Sequence, residues 1–195
     1  MKGFNFLLIM MIICQIYCLL EYVDIEYDPS NSTHLQLSKF GMQTMLEKYN
    51  DNEPHFLSLS YKNDLSEHYT LVYSIIEKDT NDVKLISVHL HRFIYPDKTK
   101  IKLNSVGTML KNKLLLIHEP DFIVLQQLIL EYMLKMKKIA ILDYIKNIIV
   151  YGWFYVIYLH AFQKEFVFIL HLSKITRKFN ILHFYSYISN KEYIS

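Results

Sequence analysis

Between residues 33 and 49 the apolar positions Leu37, Phe40, Met45, Leu46 and Tyr49 return at intervals of three and four, which predicts an amphipathic helix. Ser32 or Thr33 can cap its start, and the run Asn50-Asp51-Asn52-Glu53-Pro54 stops it. Gly41 inside the pattern costs about 1 kcal/mol relative to Ala and marks a place where another element crosses closely. From residue 56 the period changes to two. Leu57, Leu59 and Tyr61 share one face of a strand over 56–61, and Tyr69, Leu71, Tyr73 and Ile75 share one face over 68–77. Ile86, Val88 and Leu90 do so over 83–95, and Ile101 and Leu103 point inward from a short strand over 100–105. Turn-forming residues at 78–82 and at Pro96-Asp97-Lys98 separate them. The predicted class is α+β: one helix packed on a four- to five-stranded antiparallel sheet, occupying residues 19–107.

Residues 108–195 lack such punctuation. Beyond Pro120 there is no proline, and Gly152 is the single glycine. Three readings stand for this stretch. It is a helical extension, with Asp121 capping a helix that runs to 139; or a membrane segment within 145–172; or a tail not selected as structure at all. The uncharged runs 148–162 and 166–172 are each shorter than the roughly 20 residues a helical span needs, and Lys164 and Glu165 divide them. The expectation is a largely helical or irregular apolar extension.

The first residues set the compartment. Lys2, an apolar stretch over 4–20 and acids from Glu21 onward read as a signal peptide over residues 1–18. A secreted protein is expected, with a membrane-anchored or membrane-associated interaction module as the alternative. Cys14 and Cys18 both lie in that segment, so the rest of the chain has no disulfide, thiol nucleophile or thiolate metal site. Twenty-one Lys and Arg against 19 acids give a net charge of +2, which suggests no nucleic-acid partner. Asn31-Ser32-Thr33 is a sequon in an expected turn, making Asn31 a glycosylation candidate. His89 and His91 share a strand face, with His68 across the sheet. No third ligand is fixed, so they read as solvent-side histidines rather than a metal site. Asp24, Glu26 and Asp28 read as solvated carboxylates. With no Gly-rich phosphate loop, nucleophile elbow or His-Glu-x-x-His, neither an enzyme nor a cofactor is expected.

One stretch resembles a known family. Ser87-Val88-His89-Leu90-His91-Arg92-Phe93-Ile94-Tyr95-Pro96 is followed by Lys102-Leu103-Asn104-Ser105. With His68-Tyr69-Thr70-Leu71-Val72-Tyr73 and Glu47-Lys48-Tyr49-Asn50, and with the order of elements over 35–106, it resembles the cystatins, above all their disulfide-free stefin branch. The resemblance implies an inhibitor of papain-like cysteine proteases. Its wedge would comprise an N-terminal trunk with a glycine, a first loop reading Gln-x-Val-x-Gly and a second, Pro-containing loop. Carried over, the first loop is Lys62, Asn63, Asp64, Leu65 and Ser66, and the second is Tyr95, Pro96 and Asp97. The first departs from the pattern: a cation and an acid stand at the tip, where unpaired burial is costly, and no glycine stands between residue 19 and the helix. The implied function is a cysteine-type endopeptidase inhibitor with degenerate loops.

Overall fold

The computed structural model describes residues 23–63, 67–77, 80, 82–96, 98–137, 142–161, 164–173 and 176–188. The expected signal peptide and the loop residues Asp64, Leu65, Ser66 and Asp97 lie outside them. The chain divides into two compact units, residues 1–108 and 109–195. The first runs β1 (Val23–Ile25), α1 (Ser32–Lys48), β2 (His55–Asn63), β3 (Glu67–Ile76), β4 (Val83–Ile94) and β5 (Thr99–Thr108). Its sheet has the order β1-β2-β3-β4-β5, every pair antiparallel. The second runs β6 (Lys113–Leu114), α2 (Pro120–Lys137), β7 (Tyr144–Tyr151), β8 (Phe154–Ala161), β9 (Lys164–Leu172) and β10 (Phe179–Ile188). Its strands again follow chain order, from β6 to β10, all antiparallel.

One plan therefore occurs twice: a short strand, a helix, then a four-strand meander that adds to the short strand. Even the irregularities recur. The pairing shifts register between Phe56 and Ser58 in β2 and between Ile145 and Asn147 in β7. It shifts again between β4 and β5 at His89/Leu90, and between β9 and β10 at Ile181/His183. The expectation of one helix on one sheet with a helical or irregular extension is thus corrected. Among the described residues the chain is mostly β, with ten strands in two antiparallel sheets and only two helices. The 145–172 stretch falls in β7, β8, β9 and their connections, and no helix among the described residues is long and apolar enough to cross a membrane.

In the first unit α1 buries Leu37, Gly41 and Met45, four residues apart, against Leu71, Tyr73 and Val88 of the sheet. Asn31, rather than Ser32 or Thr33, is the cap. Its Oδ1 accepts from the backbone N–H groups of Thr33 at 2.9 Å and His34 at 3.3 Å. Gly41 is required by the close crossing, since a Cβ there would overlap the Tyr73 hydroxyl and touch Leu71. Tyr73 cannot easily move aside. Its ring is fully buried, edge-on to Phe56 at 5.7 Å, and its hydroxyl donates to the Ser38 carbonyl at 3.4 Å. Burial pushes that hydroxyl's pKa well above its ordinary value.

The second unit has its own core among the described residues. Pro120 opens α2, where a missing N–H costs nothing, and Asp121 follows in the first turn instead of capping from outside. Leu125, Ile129 and Met133 repeat the four-residue spacing and join Ile157, Phe168 and Leu170 in one buried cluster. Phe168 is edge-on to Tyr132 at 5.8 Å and stacked on Phe184 at 5.9 Å. Consecutive residues of β9 (Phe166 to Leu170) and of β8 (Phe154 to Ile157) are buried, so both faces of these strands are apolar.

Candidate functional site

In an antiparallel meander the first and third connections emerge at the same end of the sheet. In the first unit these are the β2–β3 and β4–β5 loops. Val23 pairs with Tyr61, so the chain also enters β1 at that end. Lys62 and Asn63 close β2, with Asp64, Leu65 and Ser66 outside the described residues. The second loop is tight: the Tyr95 N–H donates to the Lys98 carbonyl at 2.9 Å, and the Lys98 N–H returns to the Tyr95 carbonyl at 3.4 Å. Tyr95 and Pro96 are exposed there, next to exposed Ile94.

Below the loops, on the face toward α1, Arg92 Nη1 meets Glu67 Oε2 at 2.6 Å, and the Tyr69 hydroxyl donates to the same oxygen at 3.4 Å. Burial, reinforced by the Glu67 charge and opposed by Arg92, pushes the Tyr69 hydroxyl up to about 12. On the opposite face the register aligns Lys62 with His68, His68 with His91, and His91 with Lys102. The His68 and His91 rings stand 3.9 Å apart, edge to face. His89 lies one row further in, its Nδ1 2.8 Å from Thr70 Oγ1. Burial lowers its pKa. His68 thus joins His91 and not His89, and no group of three or more His, Cys, Asp or Glu converges among the described residues. Asn31 is exposed at the head of α1, its side-chain oxygen already engaged as the cap.

The second unit presents the same end differently. Gly152 and Trp153 form the two-residue connection between β7 and β8, with Gly152 at φ 59°, the left-handed conformation that suits a hairpin's first turn residue. The Trp153 carbonyl accepts from Leu172 N–H at 2.8 Å, tying the hairpin to the end of β9. In the β9–β10 connection Arg177 adopts φ 54°, its N–H donating to the Ser173 carbonyl at 2.9 Å, and its guanidinium lies 5.4 Å from the centre of the Trp153 ring. The Asn112 N–H donates to the Val150 carbonyl at 2.7 Å. Its side-chain amide, set by its partners, donates to the Leu110 carbonyl at 3.2 Å and accepts from Gly152 N–H at 3.3 Å. Three chain segments therefore meet around one glycine hairpin. Sequence reasoning missed this site. Its one local signal was Gly152 followed by the chain's only tryptophan between two strand-length apolar runs.

No protein-family model matches the chain, and no curated protein matches it.

Proposed function

We propose that this is a secreted binding protein that obstructs papain-like cysteine proteases with strand-connecting loops. What supports the reading is that a chain entry and two strand connections come to one end of each sheet, three segments that one partner can meet together. The two ends are unequal. The first unit offers Lys62 and Asn63 with Asp64, Leu65 and Ser66, and then Tyr95, Pro96 and Asp97, so charges stand where a cleft would strip water from them. The second offers a glycine hairpin bearing Trp153 beside Arg177, two residue types that dominate binding energy at protein interfaces. Secretion is supported by the Lys2 and 4–20 pattern, and glycosylation at Asn31 by the exposed sequon.

Steady-state inhibition of papain by the full chain tests this. Competitive inhibition is expected, weakened at least about tenfold by Trp153→Ala, the loss typical of an interface hot spot. No inhibition and no binding at protein concentrations near 100 μM, far above the roughly micromolar affinity of even a weak specific complex, would end the proposal. Recovery of the protein in culture medium, with its N-terminus near residue 19, tests secretion separately.

A further inference from the structure

We infer that the loop-end row Lys62–His68–His91–Lys102, on the sheet face away from α1, is a docking line for a linear sulfated glycan. Four residues on four neighbouring strands are brought into one row by register alone. They span three inter-strand steps, about 14 Å. Lys100 stands on the same face of β5 as Lys102, and both lysines are exposed. Lys62 and Lys102 at its ends carry positive charge, and the paired His68 and His91 rings lie between them.

The length of the row argues for a chain of anions. A single oxyanion reaches two neighbouring strands at most, whereas a polymer with repeated sulfates can meet the whole line. Lys62, His68 and His91 are half-buried, and the exposed lysines, Lys100 and Lys102, stand together at the β5 end of the row. Overall charge argues against nucleic acid, since a pI near 8.3 and a net charge of +2 fall short of the strongly basic face such partners need. The Phe93 ring, 6.0 Å from that of His91, adds an apolar surface against which a sugar ring can rest. The inference rests on the proposed secretion only for where the ligand is met, and not for whether it binds.

Retention of the purified full chain on immobilised heparin, eluted with salt, tests this directly. The wild type is expected to stay bound above about 0.15 M salt. Lys62→Gln/Lys102→Gln should elute earlier, its salt-dependence slope reduced by about two, one for each lost contact. Lys135→Gln/Lys146→Gln removes the same charge from exposed positions of the second unit and should elute with the wild type. His68→Gln/His91→Gln, which leaves the lysines in place, should also elute early and decides the matter if the first variant misfolds. Equal shifts in both lysine pairs would reduce the effect to net charge and overturn the inference. So would equal retention on polyglutamate or on phosphatidylserine vesicles. Retention inside cells combined with heparin binding would remove secretion and leave the docking line standing.

Discussion

The two units share a topology and solve it with different side chains. At the middle buried turn of its helix the first unit has Gly41 over the large Tyr73, while the second places Ile129 at the same spacing over a cluster containing Ile157 and Phe168. Bulk has moved from helix to sheet in one core and is shared in the other. At the loop end the contrast is chemical. The first unit's outer-face row is Lys62, His68, His91 and Lys102; the matching row of the second runs Tyr151, Phe154, His171 and Asn180, with Phe154 and His171 ring centres 4.8 Å apart. One end is cationic and the other aromatic. The register that builds these rows is common to both units, so the chemistry of this face differs between them without any change of fold: Tyr151, Phe154 and His171 are buried, while Lys62, His68 and His91 are half-buried and Lys102 is exposed.

That comparison can be broken most sharply at Phe168. If the second unit holds a genuine core, Phe168→Ala should cost about 3–5 kcal/mol in urea unfolding, with amide-exchange protection lost first in α2, β8 and β9. Unchanged stability would mean that 109–195 is not packed as described. The helix crossing gives a finer test. Gly41→Ala should destabilise by about 1–2 kcal/mol, the overlap with Tyr73 outweighing the roughly 1 kcal/mol that Ala gains in a helix. In a Tyr73→Phe background, which deletes the overlapping oxygen, most of that loss should vanish in a double-mutant cycle. A loss independent of Tyr73 would refute the close-approach explanation.

Gly152→Ala should cost about 1 kcal/mol, because φ 59° is strained for a residue with a Cβ. Gly107→Ala, where an added Cβ meets open space, should lie within about 0.5 kcal/mol of wild type. The smallest effect is a pH dependence. Burial holds His89 below its ordinary value of roughly 6.5, so the unfolded chain takes up a proton at that site before the folded one does. Stability from this group is complete above that pH and is lost as pH falls through the folded value. His89→Gln should flatten the urea midpoint between neutral and mildly acidic pH, and an unaltered slope would show that His89 is not the group titrating.

Much of the first unit was legible in the hydrophobic pattern. α1 and β2 to β5 lie within three residues of the spans that the period predicts, and Gly41 does mark a close crossing. The short strand β1 was not visible, because three residues carry no period and are defined by pairing with Tyr61, Ser60 and Leu59. The second unit was illegible for a different reason. A strand buried on one face alternates apolar with polar residues; Val156 and Ile157, or Val167, Phe168 and Ile169, are neighbours on opposite faces and all buried, so the alternation disappears. A continuous apolar run then imitates a membrane segment or a buried helix. The turn Gly152-Trp153 was hidden because Trp is not among the residues that usually announce a turn. The repeat itself escaped notice, since it is conserved in spacing and register and not in residue identity.

The outermost strand of the first sheet has a consequence for how these molecules tolerate crowding. β5 ends the strand order, and a terminal strand is a natural template for a further chain. Exposed Lys100 and Lys102, with Lys98 just before them, place like charges wherever an identical strand would dock, so two copies repel along that border. The lysines that would attract a polyanion thereby also discourage self-stacking, and Lys→Gln exchanges made to study one property weaken the other.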